Sequence, residues 1–201
     1  MDKSATRVTT TLIALLVAVA APAAAEWQIR PFLGAAFAGG TTLVDPDLAV
    51  GKPHVMVGAT GSLLGNVFGL DGDIAHSPGF FQSDAHNVLN SSTTTVTGNL
   101  IVALPRRLAR YTLRPYVMGG AGVMRVHIEE FSGGLSGSDT LPAIDFGGGV
   151  TGFLTDRVGL SWEVRRFQSA ASKTEGSLLT VTDPNRKLSF WRANMALAIR
   201  Y

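Results

Sequence analysis

The sequence contains no cysteine among its 201 residues. A chain without thiols forms no disulfide, and it offers no attachment point for the lipid of a lipoprotein anchor. Such a chain also avoids mispairing in an oxidising periplasm. We therefore interpret the absence of cysteine as compatible with an exported protein that is not held in place by a covalent lipid.

Long hydrophobic runs and a strong charge imbalance are missing as well. Beyond residue 25 no apolar stretch reaches the roughly 18 residues that a helical membrane span requires. Lys and Arg number 17 against 15 Asp and Glu, with no basic run among them, so we expect no nucleic-acid partner. Any membrane-spanning structure beyond residue 25 has to be a β-barrel, because only helices and closed barrels satisfy the backbone in lipid.

The first 25 residues have the pattern of a secretory signal peptide. Lys3 and Arg7 supply a positive segment, the apolar run Leu12–Ala21 follows, and small residues lead up to Ala25. The run is too short to cross about 30 Å of hydrocarbon as a helix, which argues against a retained anchor. We predict cleavage after Ala25, which leaves residues 26–201 as a single barrel domain.

Residues 26–201 divide into strand candidates joined by alternating short and long connectors. The short ones are Gly65, Pro105–Tyr111 and Thr155–Arg157, whereas 39–52, 77–93, 127–139 and 169–186 are long and polar. Short periplasmic turns alternating with longer extracellular loops are typical of outer-membrane barrels. We predict an all-β fold, an eight-stranded antiparallel up-and-down transmembrane β-barrel. Its strands are expected at 26–38, 53–64, 66–76, 94–104, 112–126, 140–154, 158–168 and 187–201.

The last eleven residues, WRANMALAIRY, are apolar on one strand face and carry Arg192, Asn194 and Arg200 on the other. Trp191 and Tyr201 lie ten positions apart on the same strand face, as do Trp27 and Phe37 on the first strand. That spacing corresponds to about 25 Å along a tilted strand, roughly the height of the apolar band between two aromatic girdles. We predict four lipid-interface aromatics, Trp27, Phe37, Trp191 and Tyr201.

Charged side chains within the strands are predicted to point into the barrel. An Arg or Lys at the bilayer midplane of the lipid face costs about 2–4 kcal/mol, so alternation assigns these residues to the lumen. The predicted lumen ion-pair network consists of Asp71, Asp73, Asp145, Glu163, Arg165, Arg192 and Arg200, with Gln28, Arg30 and Asn194 on the same side. Side chains fill an eight-stranded barrel, which favours a plug over a gated ion path.

For the strand at 112–126 the sequence does not decide which side chains face lipid, because Gly and Ala occupy both of its faces. We predict Val117, Ala121 and Val123 to face outward.

The chain resembles the small outer-membrane β-barrels of the OmpA transmembrane-domain and OmpX type. The resemblance covers about 26–201 and rests on RPYVMGGAGVMR (114–125), AIDFGGGVTGFLTDRVGL (143–160), WEVRRF (162–167) and the terminal ALAIRY (196–201). It implies an eight-stranded barrel in the outer membrane, in contact with the lipid bilayer and lipopolysaccharide. It also implies insertion by the outer-membrane assembly machinery, which recognises the last strand.

Some barrels of this size process lipid A, which makes an enzyme the alternative reading. A deacylase needs a nucleophilic serine with a histidine and an acid near the outer rim. His127 and Glu129 share one strand face, and Ser132, Ser136 and Ser138 follow. Such deacylases carry serine two positions after the histidine, where this chain has Glu129. We therefore predict no catalytic residue.

No metal site and no cofactor are predicted either. The histidines at 54, 76, 86 and 127 follow no recognised ligand spacing. The expected role is structural, in envelope integrity, or in adhesion-like surface interaction through the polar loops 82–95 and 169–186, with an extracellular ligand that the sequence does not name. A narrow ion channel is the remaining alternative.

Overall fold

The computed structural model describes residues 25–41, 53–79, 88–109, 113–130, 136–169 and 188–201. The predicted signal peptide, apart from Ala25, lies outside the described residues. The described residues form eight strands, and they contain no helix that is long and apolar enough to cross a membrane. The strands are β1 (Glu26–Thr41), β2 (His54–Leu64), β3 (Phe68–Pro78), β4 (Val88–Ala103), β5 (Leu113–Glu130), β6 (Ser136–Phe153), β7 (Val158–Ser169) and β8 (Leu188–Arg200).

The strands form a closed barrel in which each one pairs antiparallel with its chain neighbours. Closure joins β1 to β8, where Ile29 lies opposite Ile199 and Phe37 opposite Trp191. Because each described strand is paired on both sides through the apolar belt, no described row of backbone groups faces lipid there without a partner. The predicted fold class is confirmed.

Two of the predicted loops are wrong in extent, because strands continue into them. β4 begins at Val88, so most of the segment 82–95 that was expected to be a loop is strand, and β5 and β6 reach Glu130 and Ser136. Thr93, Thr94 and Thr95 in this region are β-branched and suit a strand. The alternation that marks lipid-facing strands stops here, which is why the sequence pattern predicted these strands to be shorter at this end than they are.

The outward face carries an apolar belt that ends in a polar row. On β5 the exposed apolar residues include Leu113, Val117 and Val123, and the next outward side chain is Arg125. Arg125 lies opposite Thr94 on β4 and Thr140 on β6. From Leu113 to Val123 a tilted strand climbs about 25 Å, which matches the hydrocarbon band of an outer-membrane barrel.

Side chains fill the interior in layers along the barrel axis. Toward the long-connector end lies an apolar layer that includes Phe32, Met56, Met124, Phe167 and Phe190. Toward the short-turn end lies a smaller apolar group around Leu64, Ile101 and Tyr116. Between them the buried residues are mainly polar or charged. This charged middle layer is the unusual feature of the interior, since ionised side chains are rarely buried unless they are paired.

We expect an arginine at mid-belt to destabilise the barrel through lipid contact alone. Gly98 faces outward on β4, and a Cβ atom added there would meet no other atom within 4 Å. Neither Leu nor Arg at this position has to displace a neighbouring atom to place its Cβ. The comparison of Gly98→Leu with Gly98→Arg therefore measures the effect of side-chain polarity. Urea unfolding in lipid vesicles is expected to show Gly98→Arg less stable than Gly98→Leu by at least about 2 kcal/mol. Equal midpoints for the two variants would mean that this face is not in lipid.

Candidate functional site: the charged interior

Arg165 on β7 is the centre of the charged layer. Its guanidinium contacts four carboxylates, with Nε 2.5 Å from Glu163 Oε1, Nη2 3.2 Å from Asp71 Oδ2 and Nη1 3.3 Å from Asp145 Oδ2. Asp73 Oδ2 is 3.8 Å from the same Nη2 atom. The Arg165 side chain has no exposed surface. A charge that is removed from water in this way is stable only when paired and hydrogen-bonded.

Arg192 on β8 forms the second ion pair of the layer. Its Nη1 and Nη2 donate to the two oxygens of Asp73 at 2.8 and 2.9 Å, the two-pronged geometry that suits a guanidinium and a carboxylate. The aromatic rings of Phe32 and Phe167 lie 4.5 and 5.0 Å from its Cζ atom. Arg192 thus contacts the carboxylates of the charged layer on one side and, on the side of the long connectors, the apolar layer.

The register of the strands explains why the carboxylates are needed between these arginines. Arg165 and Arg192 lie directly opposite one another on β7 and β8, and like charges in that position repel. Asp73 and Glu163 each contact both guanidinium groups. The two acids therefore offset a repulsion that would otherwise disfavour this pairing of strands.

Tyr116 and Arg30 extend the network toward the short-turn end. Arg30 Nη1 donates to Tyr116 Oη at 2.7 Å, and Tyr116 Oη donates to Glu163 Oε2 at 3.0 Å. Asn99 Nδ2 donates to Asp71 Oδ1 at 2.7 Å, and Thr60 Oγ1 donates to Asp73 Oδ2 at 2.9 Å. Neutral donors from β2, β4 and β5 thus supply further hydrogen bonds to Asp71, Asp73 and Glu163.

Two glycines of β6 make room for the large side chains. A Cβ atom at Gly147 would lie 2.8 Å from Arg165 Cα, and one at Gly149 would lie 2.7 Å from Tyr116 Oη. Both distances are shorter than a side chain can tolerate. The absence of side chains at Gly147 and Gly149 therefore leaves the space in which Arg165 and Tyr116 pack. In the sequence these two positions are recognisable only as part of a glycine-rich run, Phe146-Gly-Gly-Gly-Val150.

Of the residues predicted to share one network, the structure brings six together: Asp71, Asp73, Asp145, Glu163, Arg165 and Arg192. It does not bring in Arg200, and this part of the expectation is corrected. Arg200 lies at the short-turn end, where Nη1 is 3.2 Å from Glu26 Oε1 and Nε donates to the Asp156 carbonyl. Eight residues separate it from Arg192, roughly 20 Å along the barrel axis, so inward facing alone did not imply contact.

Other members of the layer were not identified from the sequence as partners. Thr60 and Asn99 lie on β2 and β4, which carry no Asp, Glu, Lys or Arg to indicate an inward face. Tyr116 shares its face of β5 with Arg114, a signal that the sequence did contain. The inward-facing Phe167 and Phe190 were also missed. Phe167 has the same parity as Glu163 and Arg165, which is a signal that the sequence did contain.

The predicted interface aromatics face outward near the two ends of the belt. Trp27 and Tyr201 lie together at the short-turn end, where the Tyr201 amide donates to the Trp27 carbonyl at 3.0 Å. Phe37 lies opposite Trp191 near the other end. Trp191 packs edge-on against Phe146 at 6.3 Å, and Arg166 Cζ lies 5.4 Å from its ring. Val117, Ala121 and Val123 of β5 also face outward.

Of the histidines and serines considered for catalysis or metal binding, those that the structure describes lie near the long-connector end. His127 lies opposite Ser92 on β4 and Ser138 on β6, so Ser136 and Ser138 belong to a strand and not to a loop. His76 Nδ1 is 2.9 Å from Thr94 Oγ1. His86 and Ser132 lie outside the described residues. The described part of the chain holds no group of three His, Asp or Glu side chains that could bind a metal ion.

A closed eight-stranded barrel with a lipid-facing apolar belt and a charged, filled interior defines the class of small outer-membrane barrels. Comparison with known families leads to the same class, because the family model of the outer membrane protein beta-barrel domain matches residues 11–184 of this chain. The chain belongs to this family. No match was found among curated protein sequences.

Solved structures share the fold at low sequence identity. Neisserial surface protein A is 12% identical with a TM-score of 0.59, over 88% of this chain and 99% of its own. Pseudomonas aeruginosa OprG is 12% identical with a TM-score of 0.58, over 89% and 96%. Yersinia pestis Ail, the attachment invasion locus protein, is 14% identical with a TM-score of 0.52, over 88% and 99%. At these identities the likeness concerns the fold.

We expect removal of one carboxylate from the network to destabilise the barrel strongly. Glu163→Gln removes a carboxylate that contacts both Arg165 and Arg192 and accepts from Tyr116 and Asn194, and breaking a buried ion pair by removing one partner typically costs about 3–5 kcal/mol. Asp156→Asn, at an exposed carboxylate in the turn between β6 and β7, is the control and should change stability by less than about 1 kcal/mol. Urea unfolding in lipid vesicles measures both variants. Equal small shifts would show that water screens the network.

Proposed function

We propose that this protein is a closed outer-membrane barrel that acts in envelope integrity and surface interaction, and neither as a pore nor as an enzyme. The observation that carries the proposal is the complete burial of Arg165 and Arg192 in the middle of the lumen. A solute pathway through the barrel would have to pass both guanidinium groups and their carboxylates. The apolar layer around Phe167 and Phe190 lies beyond them.

The long-connector end supports the surface-interaction part of the proposal. In this family's orientation, short turns face the periplasm and longer connectors face the exterior. β5 continues from Arg125 at the polar row to Glu130, roughly 15 Å of strand beyond the belt. β4 and β6 continue beside it. Three strands therefore form a platform that stands above the lipid headgroups.

The fold relatives are compatible with such a role. Neisserial surface protein A is named as a surface protein, and Ail is named as an attachment and invasion locus protein whose structure was determined with the heparin analogue sucrose octasulfate. For this chain we propose contact with a macromolecule outside the cell, made by the platform of β4, β5 and β6. Lipopolysaccharide would surround the outward Arg125 and Arg166, since both cations lie near the outer edge of the belt.

Export and assembly complete the proposal. Removal of residues 1–25 would place Glu26 at the start of β1. β8, which ends in Arg200 and Tyr201, would then be the strand that the assembly machinery recognises. This strand pairs with β1 and so closes the barrel.

We expect no large, stable conductance after reconstitution of the wild-type protein in planar bilayers, because the charged layer closes the lumen. A general porin serves as the positive control. Steady openings that pass sugars would contradict the closed-lumen proposal and favour a channel. Loss of acyl chains from phospholipid or lipopolysaccharide during incubation would instead favour the enzyme.

The platform gives a second test. Val126 on β5 and Asp139 on β6 are register partners, so residues 127–138 can be replaced by a two-residue Asn-Gly turn. Cells that display the shortened protein are expected to lose surface adhesion, while heat-modifiable migration on a gel shows that the barrel still forms. Undiminished adhesion by the shortened protein would exclude the platform as the contact surface. No adhesion by either form would leave envelope integrity as the role.

A further inference from the structure

A cavity of about 380 Å³ opens at the short-turn end of the barrel, on the periplasmic side of the charged layer. It is enclosed by the first residues of β1, by the connector between β4 and β5, and by the turn between β6 and β7. Small-molecule sites usually occupy about 300–1,000 Å³, so the volume suits a small metabolite-sized ligand.

The charges that line this cavity are unbalanced. Among the described residues that line it, four arginines, Arg30, Arg106, Arg114 and Arg200, face two acids, Glu26 and Asp156. The formal excess of these described residues is therefore two positive charges, four minus two. Glu26 already binds two of the arginines, with Oε2 2.5 Å from Arg106 Nη2 and Oε1 3.2 Å from Arg200 Nη1. The other two arginines have no carboxylate among the residues that line the cavity.

Arg114 has a structural task that leaves its charge uncompensated. Its Nε donates to the Leu104 carbonyl at 3.0 Å, and its Nη2 donates to the carbonyls of Gly65 and Asn66 at 2.7 and 2.9 Å. These acceptors are neutral. The side chain ties two short connectors together, and its positive charge still contributes to the electrostatic potential in the cavity.

Arg30, on the inner side of the cavity, is the stronger indication of a ligand. It is 3% exposed, and no described residue accepts a hydrogen bond from its Nε or Nη2 atoms. Asp71 Oδ2 lies 3.6 Å from Nη2, beyond good hydrogen-bond distance, and the Asp71 carboxylate already accepts from Arg165 and Asn99. Buried polar atoms without partners are rare in native proteins and call for an explanation.

The neutral walls restrict what such a ligand looks like. Gln28, Ser62 and Thr151 offer buried polar groups, whereas Leu64, Ile101 and Phe153 offer apolar surface. We propose that the cavity is a binding site for a small organic anion whose single carboxylate or phosphate group pairs with Arg30 and whose apolar part lies against these three residues. Guanidinium groups suit both kinds of anion.

Binding can be measured on the full chain in lipid nanodiscs by following the arginine Nε–Hε signals in NMR spectra. Inorganic phosphate and hexanoate are the two probes. At least one is expected to shift the Arg30 signal saturably, and the probe that binds identifies which acid group the site prefers. Arg30→Gln should weaken binding about tenfold or more, since a hydrogen bond to a charged group is lost.

Arg106→Gln and Arg107→Gln are the matched pair, because both lie in one connector and only Arg106 lines the cavity. Arg106→Gln should weaken binding, whereas Arg107→Gln should not. This pair and the wild-type Arg30 signal remain informative if Arg30→Gln fails to fold. The proposal is overturned if neither probe shifts the Arg30 signal saturably, or if Arg106→Gln and Arg107→Gln bind equally well. Neither result would bear on conductance or adhesion.

Discussion

The structure depends on how one guanidinium is satisfied inside a narrow barrel. Arg165 contacts Glu163, Asp71, Asp145 and Asp73, which come from β7, β3 and β6. Opposite sides of the barrel are therefore linked through a single side chain, in addition to the hydrogen bonds between neighbouring strands. Turning one of these strands by one residue would remove its charged side chain from the lumen and break the buried ion pairs of the other members. The network therefore fixes which residues face inward on each of these strands.

This constraint accounts for much of the rest of the interior. Large charged groups need space, which Gly147 and Gly149 provide. On one side Phe32, Phe167 and their neighbours cover the network and exclude water, which strengthens the ion pairs. On the opposite side the barrel ends in an arginine-rich cavity. The two ends of the lumen thus differ in chemistry, with an apolar layer toward the long-connector end and a cationic cavity at the short-turn end.

Sequence reasoning reached the architecture because its two strongest signals are physical requirements. Lipid requires alternation along each strand, and outer-membrane topology requires alternating connector lengths. Parity alone placed Asp71, Glu163 and Arg192 inside. Parity did not reveal the position of each inward side chain along the barrel axis. For that reason Arg200 was grouped with residues that lie roughly 20 Å away along this axis. The early start of β4 at Val88 was hidden because strands outside the membrane need no lipid-facing pattern.

The central claim, that Arg165 is paired and shielded from water, is tested most directly by proton exchange at its guanidinium in lipid nanodiscs. Arg166 is the internal reference, since it is the next residue and faces outward over Trp191. We predict slow exchange and separately resolved Nη protons for Arg165, with fast exchange for Arg166. Exchange at Arg165 as fast as at Arg166 would contradict this account, because it would require a water-filled lumen.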